Sequence, residues 1–260
     1  MSNATALVTG ASAGIGLALA EEFATNGHPL VLVARSADKL RDIAAELGER
    51  RSIACEWIAA DLSQPQAPQQ VFDECQRRGL AIGVLVNNAG VLWEGEFDGI
   101  ALEKHLNLLQ VNVAAPTALA HLFLQPMLAA GAGRILNIAS TSAFNPVPSL
   151  ASYAASKAYL LSWSEALNLE LRGRGVTVTA VCPGFTETAM IAQEGRKPMT
   201  LPLVPNLTPE QVARESYEAC MGGKALHING LMNRLAVQGM RYQPFWLRRE
   251  MVGLIEKWGI

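Results

Sequence analysis

Six short apolar runs recur along the chain: Ala6 to Val8, Leu30 to Ala34, Ile53 to Ile58, Val84 to Val86, Ile135 to Ile138 and Val176 to Val181. Runs this short, with no polar alternation, are what strands look like when both their faces are buried. Between them lie segments with helical periodicity: Gly14 to Asn26, Ala37 to Glu49, Pro68 to Arg78, a long one near Leu102 to Ala130, and another near Ser149 to Gly173. Strand, helix, strand is therefore the repeating unit. Right-handed crossovers from such units predict an α/β fold, a doubly wound parallel sheet of about seven strands flanked by helices, with a last short strand near Ala225 to Ile228. Ligands of such sheets bind beyond the carboxyl ends of the strands, where the strand order reverses. The 260 residues suit one domain of this kind. Its pattern loosens over 184–221, which includes a helix from Pro209 to Met221, and ends in a helical extension over 230–260.

Charge and cysteine content narrow the function classes. Lys+Arg 21 against Asp+Glu 23 gives a net charge of −2, and no basic stripe precedes the C-terminus, so a nucleic-acid partner is not expected. A charged fraction of 17% is low for a soluble domain, which fits surface hidden in subunit contacts or an apolar ligand site. Cys55, Cys75, Cys182 and Cys220 form no C-x-x-C pair and no Cys/His group at zinc spacing, so no metal is expected and a reduced, cytoplasmic setting fits. The opening residues MSNATALVTG predict no secretory signal, and the most apolar stretch, Ala118 to Leu128, is interrupted by His121, Gln125 and Pro126.

The first strand runs into T-G-A-S-A-G-I-G, where Gly10, Gly14 and Gly16 open a helix. Glycines at a strand-to-helix turn let the chain approach a pyrophosphate and set it on the free N–H groups of the helix; otherwise they only close a tight turn. At the end of the second strand, Ala34 stands where an NAD-binding carboxylate is expected, and Arg35 follows it. A guanidinium there suits a 2′-phosphate, so NADP(H) is favoured over NAD(H). Asp61, after the third strand, either holds the adenine amino group or caps the next turn. After the fourth strand comes N-N-A-G, Asn87 to Gly90, whose small residues let a ribose and nicotinamide lie against the backbone. Tyr153 and Lys157, four apart, share a helix face; Ser140 lies thirteen positions before Tyr153, and Asn112 sits inside the long helix, a poor place for Asn on propensity.

T-G-x-x-x-G-x-G, N-N-A-G, Asn112, Ser140 and Y-x-x-x-K, in this order and spacing, resemble the short-chain dehydrogenase/reductase family in its single-domain branch, over residues 4 to about 190. The resemblance implies a Rossmann-type fold and NAD(P)-dependent carbonyl/alcohol chemistry. It implies that Asn112, Ser140, Tyr153 and Lys157 are catalytic. It places the cofactor against Gly10, Ser12, Gly14, Ile15 and Gly16 of the turn, and against Arg35, Asp61, Leu62, Asn88, Ala89 and Gly90 of the next strand ends. Tyr153, Lys157, Pro183, Gly184 and Thr188 complete the expected contacts around the nicotinamide. Two departures stand out: Ala13 replaces a second basic residue carried by many NADP-using relatives, and the D-G-G ending common in the family is missing.

In the chemistry so implied, Tyr153 gives a proton to the oxygen that becomes negative as hydride reaches a carbonyl. A lysine ammonium about 5 Å away, at an effective dielectric of about 20, favours phenolate by roughly 3 kcal/mol and draws the phenol toward neutrality, with desolvation opposing it. Ser140 bonds the substrate oxygen; by resemblance, Lys157 also binds the nicotinamide ribose and Asn112 supports a water relay. Met190, Ile191, Met199, Leu201, Leu203 and Val204 supply apolar surface that either receives an apolar substrate or covers the core. In the tail, Trp246, Leu247, Met251, Leu254, Ile255 and Trp258 recur at helical spacing beside Arg241, Arg248, Arg249 and Lys257. That tail packs within the domain or a homodimer or homotetramer, or else touches a membrane surface. The expected function is an NADP(H)-dependent reductase of an apolar ketone, aldehyde or 3-oxoacyl compound. The rival is a non-catalytic NADP(H) sensor, whose mark is a broken Tyr/Lys pair. A nucleotide-sugar epimerase needs more chain and a different glycine spacing.

Overall fold

The computed structural model describes residues 3–186 and 206–241. Its seven strands are β1 (Thr5–Thr9), β2 (Leu30–Ala34), β3 (Cys55–Ala59), β4 (Ile82–Asn87), β5 (Gly133–Ile138), β6 (Val176–Cys182) and β7 (Leu226–Ile228). They form one sheet in the order β3-β2-β1-β4-β5-β6-β7, and every neighbouring pair is parallel. The order reverses between β1 and β4, so the expected crevice opens above their carboxyl ends.

The helices are α1 (Gly14–Thr25), α2 (Ala37–Arg51), α3 (Ala67–Arg77), α4 (Leu102–Leu109), α5 (Ala115–Ala129), α6 (Ala151–Glu170), α7 (Pro209–Met221) and α8 (Leu231–Arg241). Side chains alternate along each central strand, and both sets are apolar because both faces are covered. Ala6, Val8, Leu32 and Val86 pack on one face with Leu19 and Phe23 of α1 and Leu40 of α2. Leu7, Val33 and Leu85 pack on the other with Val71 of α3 and Leu119 and Phe123 of α5. Fully burying one such side chain contributes about 1.5–3 kcal/mol, so the two apolar layers hold the strand ends in fixed register beneath the crevice.

Two boundaries differ from expectation for local reasons. Ser52 takes a left-handed conformation (φ 54°) that closes α2, so β3 starts at Cys55 and not at Ile53. The long helix near Leu102 to Ala130 is not one regular helix: a π-helical segment, Gln110–Ala114, separates α4 from α5. One extra residue per turn rotates the side chains that follow, and Asn112 sits inside that segment, buried. The four cysteines carry free thiols. Burial pushes Cys55, Cys182 and Cys220 up to about 12 and Cys75 to about 11, so they remain neutral. Among the described residues no helix is long and apolar enough to cross a membrane, and no cluster of metal-ligating side chains occurs.

Candidate active site

The glycine turn is built by close approach. Gly10 has φ +69°, and a Cβ on it would come within 2.8 Å of Asn88 Nδ2 and 3.0 Å of Ala89 Cα. A Cβ on Gly16 would fall on the Gly10 carbonyl oxygen and on the Asn88 side-chain nitrogen. These glycines therefore let the first and fourth strand ends nest together. Thr9, which sequence reasoning missed, is the pin: its Oγ1 donates to Val86 O at 3.1 Å and accepts from the main-chain N–H groups of Asn88 and Ala89, both at 3.0 Å. Asn88 Nδ2 returns a bond to Thr9 O at 2.9 Å. A threonine ending a strand reads as ordinary β propensity, and only the T-G pair beside N-N-A-G carried a signal.

Above this nest, α1 starts at Gly14, with Ala13 as its N-cap. No side chain caps it and its first turn carries no acid. Its leading N–H groups are thus left for an anion, and Ser12 and Ile15 flank them on the same turn. At the end of β2, Arg35 is exposed, and among the described residues it has no hydrogen-bond or ion-pair partner. Asp61 is also exposed; it caps the next turn by accepting from Ser63 N at 3.1 Å, while Leu62 beside it is buried. A glycine cradle, an uncapped helix start and an exposed guanidinium at the end of β2 fit a dinucleotide of the NAD(P) kind.

Asn112 clamps the loop after β4. Its Oδ1 accepts from Val91 N at 2.9 Å, and its Nδ2 donates to Val91 O at 3.0 Å and to Ser156 Oγ at 3.1 Å. Both amide hydrogens are used, so the side chain holds the N-N-A-G loop against α6. This closeness brings Gly90 beside Lys157: a Cβ on Gly90 would lie 3.6 Å from Nζ.

Ser140 follows β5 and caps a short 3-10 turn, Thr141–Phe144, its Oγ accepting from Ser142 N at 3.2 Å. Its side chain neighbours the Tyr153 phenol, which the first turn of α6 presents to it, and favours the ionised form. One turn on, Lys157 is buried, its Nζ 5.7 Å from the Tyr153 ring centroid and donating to Ile138 O at 2.8 Å. The structure thus brings Ser140, Tyr153, Lys157 and the Asn112 clamp together. The electrostatic balance is the reverse of the expected one. Burial raises the Tyr153 pKa above its ordinary 10, and the Ser140 side chain only partly offsets it. Burial also lowers Lys157 to about 8, with the Cys182 sulfur pulling weakly the other way. An ammonium placed to help a neighbouring phenolate is itself penalised by the same dry surroundings.

Pro183 is buried and Gly184 partly so, at the end of β6. A Cβ on Gly184 would collide with the side-chain amide of Asn233 from α8, so the last described helix closes on this loop. Thr188, the apolar positions from Met190 to Val204 and the tail from Trp246 to Trp258 lie outside the described residues.

A family profile described as short chain dehydrogenase matches residues 4–198. A short-chain dehydrogenase from Sphingobium yanoikuyae, solved in complex with NADPH, superimposes with a TM-score of 0.82 at 35% identity, covering 92% of this chain and 94% of that one. A 3-oxoacyl-[acyl-carrier-protein] reductase of Aquifex aeolicus is 30% identical over 87% of this chain and 96% of its own length. An inactive hydroxysteroid dehydrogenase-like protein 1 of Homo sapiens is 34% identical over 72% of this chain, which spans only 57% of that protein. On the profile match over most of its length and on these relatives, the chain belongs to the short-chain dehydrogenase/reductase family.

Proposed function

We propose that the protein is an NADP(H)-preferring oxidoreductase that interconverts a carbonyl and an alcohol, acting on an apolar ketone, aldehyde or 3-oxoacyl compound. The observation that carries this reading is the meeting of Ser140, Tyr153 and Lys157 beside the glycine nest. Held by the Gly10 to Gly16 turn and by Arg35, a reduced dinucleotide would be the source of hydride for the carbonyl carbon. Ser140 Oγ–H donates to the carbonyl oxygen and fixes it beside the phenol. Tyr153, held protonated by burial, gives its proton to that oxygen as negative charge grows on it. Lys157 then faces the phenolate with its ammonium and steadies it until a proton returns. Asn112, by holding Val91 and Ser156, keeps the loop and helix at the spacing a water relay requires.

The Lys157 ammonium sets a pH limit on the reduction. With its pKa lowered to about 8, the charge is largely present at pH 7 and is lost as pH rises through about 8. The pH profile of kcat/KM, which reports groups of the free enzyme, is therefore expected to be flat below neutrality and to fall above about pH 8. A profile still rising at pH 9 contradicts the role given to Lys157.

Cofactor preference is tested by fluorescence titration with NADPH and NADH, followed by a panel of carbonyl compounds. Arg35→Ala is expected to weaken NADPH binding about 10- to 100-fold, the worth of one or two charge-assisted bonds, and to leave NADH nearly unchanged. Equal losses for both cofactors would remove the role of Arg35 at the 2′-phosphate, and NADH bound as tightly as NADPH by the unaltered protein would remove the NADP(H) preference and make Ala13 the more telling residue.

A homodimer or homotetramer belongs to the same reading. It is supported by Leu102, Leu106 and Leu109 of α4, spaced along one helix face and 63%, 56% and 42% exposed. A cytoplasmic location is supported by the unpaired thiols. One observation favours a non-catalytic NADP(H)-binding regulator, namely the likeness to a human protein named as inactive. The presence of both Tyr153 and Lys157 in contact range counts against it.

A further inference from the structure

α8 has 11 residues, and of its described side chains only Asn233 and Val237 are buried. Leu231, Met232 and Leu235 face outward, 66%, 42% and 53% exposed. A helix this short is marginal by itself in water, so its place on the body depends on how it is started. It begins after Gly230, whose φ of +77° turns the chain out of β7 and which has no side chain to cap with. The cap comes from another element. Glu215 of α7 points its Oε2 at this turn: His227 Nε2 lies at 2.9 Å, Gly230 N donates to it at 3.2 Å, Asn229 Nδ2 at 3.5 Å, and the Arg234 guanidinium stands at 3.5 Å.

A carboxylate only accepts, so His227 Nε2 carries the proton of that bond. Burial alone pushes the Glu215 carboxyl up, but the bonds from His227 and Gly230 and the charge of Arg234 outweigh it and hold the group below its ordinary value. Negative charge beside a helix start also suits the leading N–H groups of α8. Arg234 closes the circle: its Nε donates to Ile228 O at 2.9 Å, and its main-chain N–H donates to Gly230 O at 3.1 Å. The inner face of α8 reaches the loops of the active site. Asn233 Nδ2 donates to Asn229 O at 2.9 Å, and the Asn233 amide occupies the place where a Cβ on Gly184 would fall. α8 also packs on the 3-10 turn Thr141–Phe144 that Ser140 caps. The two loops are tied to each other as well, Thr141 N donating to Pro183 O at 2.9 Å. The loops after β5 and β6 therefore lean on one helix, and the start of that helix on one carboxylate.

We propose that Glu215, outside the crevice, is a positioning residue for the reaction: by capping α8 from α7 it sets where Asn233 presses on Gly184, and so fixes the loops that border the reacting end of the dinucleotide. The inference rests on the proposed reductase function, which puts that end between Ser140 and Gly184. It divides the labour of cofactor binding in two. The glycine nest and Arg35, on the β1 and β2 side of the sheet, hold the adenine and phosphate part without help from α8. The nicotinamide part depends on α8, and through it on Glu215.

Two measurements on the full chain test this, with Glu215→Gln, which keeps the size and removes the charge, and Asn233→Ala, which removes the contact with Gly184. Amide hydrogen exchange read by mass spectrometry needs no cofactor. Peptides covering 141–144 and 183–186 are expected to exchange about fivefold faster or more in both variants, and those covering the glycine turn, 10–16, to stay within about twofold of the unaltered protein. Unchanged exchange at both loops, or a rise shared equally along the chain, overturns the proposal. In titration calorimetry, NADPH is expected to bind Glu215→Gln about tenfold more weakly, while 2′,5′-ADP, which lacks the nicotinamide half, binds within about twofold. The double variant is expected to bind NADPH no more weakly than the weaker single variant, because both act through one contact. Equal losses for the two ligands, no loss for NADPH, or losses that add in the double variant overturn the proposal. Faster exchange confined to the two loops, in a protein whose unaltered form turns over no carbonyl compound, upholds the link from Glu215 and instead counts against the reductase reading.

Discussion

Tyr153→Phe is expected to retain the fold and NADPH affinity while losing turnover about 10³-fold, roughly 4 kcal/mol of barrier. The substitution removes one hydroxyl from a partly buried ring and leaves the apolar packing of α6 unchanged. Ser140 still accepts from Ser142 N, so the loop after β5 stays closed. The phenol assigned to give the proton is gone, while Lys157 keeps its bond to Ile138 O. Steady-state kinetics with a thermal melt on the same sample checks this. Turnover within about tenfold of the unaltered protein sinks the role of the phenol, and a lost melting transition shows that the ring was structural.

Gly16→Ala is expected to abolish measurable NADPH binding and to lower stability by about 1–3 kcal/mol. One methyl group suffices because its position is already taken by the Gly10 carbonyl oxygen and the Asn88 side chain. Neither neighbour can retreat cheaply. The oxygen belongs to a turn residue with positive φ, and Asn88 Nδ2 is bonded to Thr9 O, whose side chain in turn holds the amides of Asn88 and Ala89. Pushing them apart separates the ends of β1 and β4, and with them the leading N–H groups of α1. A titration showing NADPH bound within threefold of the unaltered affinity contradicts the account of the nest. As a control for general disruption, Gly99→Ala, where an added Cβ meets nothing, is expected to leave binding unchanged.

How legible all this was depended on how local the cause is. The central strands stood out because both their faces are buried, so Leu30–Ala34 reads as a continuous apolar run and folds as one. β3, at the sheet edge with Glu56 and Ala59 exposed, blurred at its start, where the left-handed Ser52 delays the strand. Asn112 was conspicuous as a poor helix residue, yet the π-helical segment that turns it inward depends on how α4 and α5 are packed, which periodicity does not report. The four-residue spacing of Tyr153 and Lys157 was readable as a shared face. The sign of the Tyr153 shift was not, because the outcome is decided by desolvation, a property of the assembled site.

The most direct test of the reductase reading follows the hydride itself. Protein mixed with NADPH deuterated at the transferable position of the nicotinamide is presented with a panel of ketones, aldehydes and 3-oxo esters, and the products are read by mass spectrometry. The account predicts an alcohol with one deuterium on its carbinol carbon from the unaltered protein and essentially none from Tyr153→Phe. NADPH bound with no deuterated alcohol from any member of the panel, or equal transfer by both proteins, would contradict it.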